Sequence, residues 1–369
     1  MAFYHIKMKN DTPKYLELAN WIKNQIETGE LLPGQKLYSE NRLSEMFGLS
    51  RETVRHAIAL LEQDQILMKV RGSGTYITEN LSGENPAKRK RIAVIMTYLD
   101  GYIFPRTIRA IEHSLFEQNY SVQIAFTNNL ISRERTILQD ILEKDEVAGM
   151  IVETTKSALP NPNLHYYEEI LKKKIKVIFI NSFYPQLTIP HVSMNDRQAG
   201  LVAANHLIEK GHKKITGIFK LDDGQGHQRY AGFVEALERA GLAYDETKIF
   251  WVDTEDIKNI FKLREKIIYR LGDCTGIVTY NDEVAFELLK VLKDEGIRIP
   301  EDLSIISIDD SELSVMDRVK LTSIPYPMEK LGELAVRNLL GMIHNPGFDG
   351  NYEFDVHIVE RNSVKQLNE

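Results

Sequence analysis

A single cysteine, Cys274, stands in 369 residues. One thiol excludes a disulfide within the chain and offers no multi-cysteine metal site. No apolar run is long enough to cross a bilayer. The opening Met-Ala-Phe-Tyr-His-Ile-Lys lacks the pattern of a secretory signal. The expectation is a cytoplasmic protein with no membrane partner. Catalytic fingerprints are missing as well. There is no G-x-x-x-x-G-K-[ST] phosphate loop, and Gly72-Ser73-Gly74 and Gly224-Gln225-Gly226 are too short for a dinucleotide site. His206 and His212 fall in a helix pattern and just past its Gly211 end, where solvated or capping roles suffice. No enzyme, no cofactor and no metal are expected.

Positive charge is scarce: the net charge is −7. It is unevenly spread. Residues 1–91 carry 14 Lys and Arg against 11 Asp and Glu, a net of +3, and the remainder carries 32 against 42, a net of −10. A net of +3 is weak support for nucleic acid, so the local face decides, and Arg51, Arg55, Lys69 and Arg71 can share one. The length suits two or three domains.

What is present begins with Ser39–Thr75. Val54, Ala57, Ile58 and Leu61 recur at i, i+3, i+4 and i+7, lining one face of a helix. Ser50 ahead of it is an N-cap whose hydroxyl accepts from a free N–H of the first turn. The opposite face presents Arg51, Glu52, Thr53, Arg55 and His56. Ser39 caps a shorter helix with Leu43, Met46 and Phe47 inward, and Gly48 ends it in a left-handed conformation. Two short helices joined by Gly-Leu-Ser predict a helix-turn-helix, whose second helix offers its first residues to base edges. Ile66–Val70 and Thr75–Ile77 read as strands around the turn Arg71-Gly72-Ser73-Gly74. That is a wing, whose glycines let backbone approach the minor groove or a phosphate. Tyr15, Leu18, Ala19, Ile22 and Ile26 stripe a covering helix. Residues 1–78 are therefore expected to form an α+β winged helix-turn-helix, and the polar run 79–91 a linker.

The runs Pro33-Gly34-Gln35-Lys36-Leu37, Ser39-Glu40-Asn41-Arg42-Leu43, Ser50-Arg51-Glu52-Thr53-Val54-Arg55 and Gly72-Ser73-Gly74-Thr75 resemble the GntR-type winged helix-turn-helix. The resemblance implies that Arg51 and Arg55 contact guanines, that Ser50 and Thr53 contact phosphates, and that Asn41 touches the operator from the preceding helix. It places Arg71 and Gly72 at the wing tip. Arginine suits guanine because its two donors match O6 and N7.

From Ile92 onward, short apolar strands alternate with amphipathic helices. Strands are expected at Ile92–Met96, Val122–Ala125, Gly149–Val152 and Val177–Ile180, with helices near Pro105–Gln118, Ser132–Glu143 and Tyr166–Lys173. The alternation restarts with a helix at Asp196–Lys210. It runs through strands Ile215–Phe219, Ile249–Val252, Gly276–Thr279 and Ser304–Ile308, with helices at His227–Ala240 and Glu283–Glu295 and a single helix near Thr254–Leu271. A crossover near Leu321–Tyr326, a helix at Met328–His344 and a last strand near Phe354–Val359 complete the pattern. This predicts an α/β body over 92–369, two lobes of doubly wound parallel sheet. Ligands of such folds bind at the carboxyl ends of the strands, here in a cleft between the lobes.

Those ends carry Tyr98, Asp100, Tyr102 and Phe104, then Asn128 and Asn129, Glu153 and Lys156, and Asn181. In the second half they carry Lys220, Asp222 and Asp223, then Arg229, Asn281 and Asp309. Carboxylates, amides and an arginine match vicinal hydroxyls, and a ring packs on the C–H face of a sugar. The candidate effector residues are Tyr98, Asp100, Tyr102, Glu153, Lys156, Asn181, Arg229, Asn281 and Asp309.

The body also resembles the LacI-type effector domain, related to periplasmic sugar-binding proteins. The resemblance rests on Asn195-Asp196-x3-Gly200-x2-Ala203-x2-His206-Leu207, Gly211-His212-Lys213-Lys214-Ile215, Arg229-x2-Gly232-Phe233-x2-Ala236, Tyr280-Asn281-Asp282, Pro300–Ser304 and Ile308-Asp309-Asp310. It implies effector contacts at Asn181, Arg229, Asn281 and Asp309, a further variable contact at Tyr326, and dimer contacts made by the body. A GntR-type head on a LacI-type body, with 100–105, 152–159 and 219–226, resembles the arabinose-responsive repressors along nearly the whole chain. That resemblance, and not the strand-end chemistry, supplies L-arabinose as the effector. A different sugar or sugar phosphate, or a sugar-dependent activator, uses the same parts. The expectation is a homodimer on double-stranded operator DNA with an inverted repeat, released when sugar closes the cleft.

Overall fold

The computed structural model describes residues 13–367 apart from 33, 65, 71, 72, 79–90, 100–102 and 145. The chain separates into two compact units, Met1–Arg89 and Lys90–Glu369. Among the described residues, no helix is long and apolar enough to cross a membrane.

In the first unit, α1 (Lys14–Glu27) covers α2 (Glu40–Phe47) and α3 (Arg51–Gln63). Strands β1 (Leu67–Val70) and β2 (Gly74–Ile77) pair antiparallel. Both reading helices start where a serine stands. Ser39 Oγ accepts from Arg42 N at 3.2 Å and Ser50 Oγ from Thr53 N at 3.1 Å. Gly48 ends α2 at φ 63°. Leu18, Ile22, Leu43, Val54, Ile58, Leu61, Leu67 and Ile77 form the core. Burying each such side chain stabilises by about 1.5–3 kcal/mol, so a unit this small is held by a handful of residues.

The second unit contains two parallel sheets. The first is built from β3 (Arg91–Met96), β4 (Ser121–Phe126), β5 (Val147–Glu153), β6 (Lys176–Ile180) and β7 (His191–Met194). Helices α4 (Phe104–Glu117), α5 (Ile131–Lys144) and α6 (Leu164–Lys172) connect them. The second lobe runs α7 (Asp196–Glu209), β8 (Ile215–Lys220), α8 (Gly224–Arg239), β9 (Phe250–Val252), α9 (Thr254–Ile257), α10 (Arg264–Leu271), β10 (Gly276–Thr279), α11 (Asp282–Asp294), β11 (Ser304–Asp309) and β12 (Thr322–Pro325). The chain then returns to the first lobe as α12 (Met328–His344) and β13 (Tyr352–Phe354). The sheet orders are β13-β7-β6-β5-β3-β4 and β12-β11-β10-β8-β9.

This topology places the hinge. The chain crosses between lobes after β7, after β12 and after β13, and all three strands lie toward one edge of their sheet. Strands β4 and β9 form the opposite edges.

Four expectations are corrected. The single helix expected over Thr254–Leu271 is α9, a 3₁₀ turn at Ile260–Leu263 and α10, because Asn259 leaves the helical region at φ −151°, ψ 58°. The segment expected as a crossover near Leu321–Tyr326 holds a true strand, β12, parallel to β11. The last strand is β13 at Tyr352–Phe354, and Val359 makes only an isolated bridge to Ser323. Strand β7 was not anticipated: His-Val-Ser-Met sets polar residues among its apolar ones and has no continuous apolar run, and its pairing with β6 and β13 makes it a strand.

Helices α7 and α8 touch backbone to backbone at two glycines. A Cβ on Gly200 would lie 1.8 Å from Arg229 O, and one on Gly232 would lie 1.8 Å from Arg197 O. Two glycines thus let the backbones touch, and this contact brings the start of α7 against α8.

Candidate effector cleft and DNA-reading face

The carboxyl ends of both sheets line one cavity of about 270 Å³. Its wall includes Tyr98, Glu153, Lys156, Asn181, Arg229, Asn281 and Asp309, so seven of the nine candidate effector residues come together. Asp100 and Tyr102 lie outside the described residues.

Arg229 is the most constrained of them. It is 1 % exposed, and its partner Asp196 is 7 % exposed. Arg229 Nε donates to Asp196 Oδ1 at 2.8 Å and Nη1 to the Tyr280 carbonyl at 2.6 Å. Nη2 stands 3.8 Å from Asp309 Oδ1, and the guanidinium lies over the Tyr280 ring, 4.7 Å from its centre. Burial works against the guanidinium's charge, but Asp196 and Asp309 more than offset it and hold Arg229 above its ordinary value. Burial pushes the Asp196 carboxyl up to about 6, even against the nearby guanidinium.

A second network runs through the hinge side. Glu153 Oε2 accepts from Thr97 N at 2.7 Å and Thr97 Oγ1 at 2.5 Å, and Oε1 accepts from Asn181 Nδ2 at 2.6 Å. Asn181 Oδ1 accepts from the Tyr326 hydroxyl. Burial raises the Glu153 pKa despite these donors. Asn181 and Asp309 sit at φ 68° and 111°, a left-handed backbone that non-glycine residues rarely adopt, and such strain collects at functional sites.

On the other wall, Lys220 Nζ stands 3.3 Å from Asp223 Oδ2, which also accepts from the Tyr280 hydroxyl at 2.8 Å. Burial alone would lower the Lys220 pKa, but Asp223 and Asp222 override it. Lys156 Nζ reaches Asp222 Oδ2 at 3.5 Å, and Lys258 pairs with Glu255 at 2.8 Å. Each cation lining the cavity therefore has a carboxylate partner. Thr154 Oγ1, also in the wall, is buried without a hydrogen-bond partner. Asn281 has a capping duty, accepting from Val284 N at 3.0 Å at the start of α11.

Sequence reasoning missed Asp196, although the Asn195-Asp196-x3-Gly200 spacing carried the signal: a helix start four residues before a close-contact glycine. It read Lys220 and Asp223 at a strand end without selecting them. Tyr280 stood in the Tyr280-Asn281-Asp282 motif without being selected, and Thr97 and Thr254 gave no signal, since their roles depend on partners far away in the chain.

On the head, Arg51 and Arg55 are exposed one turn apart on α3, and Asn41 is exposed in the first turn of α2. Arg55 Nη2 is 3.1 Å from Glu40 Oε2. The Ser50 and Thr53 hydroxyls stand 2.8 Å apart. His56, expected on the reading face, stacks on Tyr15 of α1 at 4.0 Å between ring centres. Arg71 and Gly72, the expected wing tip, lie outside the described residues. Beside them, the Ser73 and Tyr76 hydroxyls are 2.6 Å apart and Lys36 Nζ lies over the Tyr76 ring.

His206 and His212 serve packing. His206 Nδ1 is 3.5 Å from Glu360 Oε1, His212 Nδ1 is 2.9 Å from Thr275 Oγ1, and burial lowers the pKa of both. Among the described residues, no group of three or more His, Cys, Asp or Glu is placed to hold a metal ion.

Comparison with known proteins agrees with both halves. Residues 14–77 match the family described as bacterial regulatory proteins, gntR family, and residues 204–364 match the periplasmic binding protein-like domain. A LacI family transcriptional regulator from Enterococcus faecalis, solved with bound ribose, superposes with a TM-score of 0.65 at 26 % identity, covering 76 % of this chain and 100 % of that one. The arabinose metabolism transcriptional repressor of Halalkalibacterium halodurans is 38 % identical over 94 % of this chain and 93 % of its own. That of Geobacillus stearothermophilus is 35 % identical over 98 % of this chain and 100 % of its own. Each alignment spans head and body together, and the chain belongs to the family of arabinose metabolism transcriptional repressors.

Proposed function

We propose that this repressor works in the cytoplasm as a homodimer, gripping an inverted-repeat operator with two heads and letting go when L-arabinose fills the cleft. Protein two-fold symmetry matches DNA dyad symmetry. Arg51 and Arg55 read guanines, Ser50 and Thr53 hold phosphates, and Asn41 assists from α2, with Arg71 and Gly72 at the wing. Residues 79–91 tether the head. In the body, Tyr98, Glu153, Lys156, Asn181, Arg229, Asn281 and Asp309, with Asp100 and Tyr102, hold the sugar.

The pairing of the four lining cations carries the choice of ligand. Lys156, Lys220, Arg229 and Lys258 each have a carboxylate partner. A phosphate would bring further negative charge against those carboxylates, whereas a neutral polyol accepts from the cations and donates to the carboxylates at once. The cavity therefore favours a sugar over a sugar phosphate. Its small size suits a monosaccharide. The names of the relatives in Halalkalibacterium and Geobacillus supply arabinose, and the ribose-bound neighbour supports a pentose in this fold.

Sugar acts through its different affinity for two arrangements of the lobes, since a ligand shifts an equilibrium only by that difference. The test is operator anisotropy at fixed salt, titrated with L-arabinose, other pentoses and a pentose phosphate. Release by L-arabinose alone is expected. Release by the phosphate would defeat the neutral-ligand argument, and tight binding unmoved by any sugar would discard the effector.

A further inference from the structure

We propose that Asp222 is a positioning residue that latches the cleft shut at the edge opposite the hinge, and so sets how much sugar releases the operator. This rests on the sugar-released repressor described above. Asp222 is 1 % exposed and does not line the cavity. It acts through two residues that do. Its Oδ2 accepts from Thr254 Oγ1 at 2.8 Å and faces Lys156 Nζ, from the other lobe, at 3.5 Å. Thr254 Oγ1 in turn accepts from Asn129 Nδ2, again from the other lobe, at 2.8 Å. A carboxylate only accepts, so the Thr254 hydroxyl gives its one proton to Asp222 and takes the Asn129 amide on a lone pair. Asn129, Thr254 and Asp222 thus form a directed chain across the cleft. Asn129 Oδ1 closes it by accepting from Lys156 N at 2.9 Å.

The backbone is bent to make this contact. Asn129 and Lys156 sit at φ 53° and 45°, left-handed positions that aim both across the gap. The place in the topology matters more. Asn129 follows β4 and Thr254 follows β9, and those strands are the sheet edges opposite the three crossings. For a given rotation about the hinge, this edge opens widest, so its contacts exist only in the closed state. Contacts of that kind shift the open–closed equilibrium before any ligand arrives, and the apparent sugar affinity scales with the closed fraction.

The experiment uses the full chain, an operator fragment and L-arabinose. Asp222→Asn keeps the shape and removes the charge. It is expected to hold the operator with wild-type affinity and to need about tenfold more L-arabinose for half-release, the effect of weakening one buried charged hydrogen bond. Equal half-release concentrations overturn the latch, and so does a loss of sugar-free operator affinity, which marks a merely structural role. Should Asp222→Asn fail to fold, Thr254→Val and Thr254→Ser decide. A shift in Val but not in Ser supports the latch, and equal values overturn it. A wild-type chain that L-arabinose never releases overturns the sugar-released reading itself, a failure distinct from that of the variants.

Discussion

Arg229 and Asp196 meet at 2.8 Å, inside the protein, because the helices that carry them touch at Gly200 and Gly232. Neither the pair nor the glycines make sense alone. The glycines bring α7 within reach of α8, and the salt bridge uses that approach to hold a guanidinium at the cavity wall.

Adding one methyl group at this contact should therefore damage the site from a distance. Gly200→Ala or Gly232→Ala places a Cβ 1.8 Å from backbone oxygen, which no side-chain movement can relieve. The helices must part, at a cost of about 1–3 kcal/mol or more. Thermal unfolding is expected at lower temperature, with weaker response to sugar. A variant with wild-type melting and wild-type release would contradict the close-contact account.

Arg229→Ala leaves Asp196 and Asp309 buried without their cation. Breaking a buried pair on one side costs about 3–5 kcal/mol. Denaturant unfolding of the body is expected to shift by that much, and operator release by sugar should be lost. The structure thus predicts a stability loss alongside the loss of induction. Unchanged unfolding would show that the guanidinium carries no structural weight.

The raised Asp196 carboxyl makes a pH prediction. With its folded value near 6 and its ordinary value 3.8, the folded body holds a proton between those limits that the unfolded chain has released. That contribution to stability is fully present below 3.8 and is lost as pH rises through 6. Asp196→Asn lacks it. Melting curves taken from pH 7 down to pH 4.5 should show wild type gaining on Asp196→Asn as pH falls. Parallel curves would place the Asp196 pKa in the ordinary range.

On the head, Arg51→Ala and Arg55→Ala are each expected to weaken operator binding by about 1–3 kcal/mol if the arginine reads a guanine. Arg55 must first leave Glu40, an exposed pair worth little. Glu40→Gln is therefore expected to leave operator affinity level or slightly raised. Anisotropy against wild-type and base-substituted operators separates the roles, because a base contact loses its preference at one position and a phosphate contact weakens all sequences alike. No change in either arginine variant would remove α3 from the interface.

The sequence by itself determined those features whose physics is local. Ser39, Ser50 and Gly48 mark helix ends because a cap bonds an N–H three residues away, or needs one left-handed residue, and the structure has them there. The strand–helix alternation marked the two-lobed body, and the rule that parallel strands present ligands at their carboxyl ends was enough to gather seven of nine candidate residues at one cavity. Tertiary structure alone decided the rest. Strands β7 (His-Val-Ser-Met) and β12 (Thr-Ser-Ile-Pro) carry no continuous apolar run, and only pairing with distant partners makes them strands. Arg229 lies 33 residues from Asp196, and Asn129 lies 125 from Thr254. Nothing in the composition of either segment names its partner. Such contacts depend on how closely helices pack and how the sheets face each other, and packing acts between segments that the chain order leaves apart.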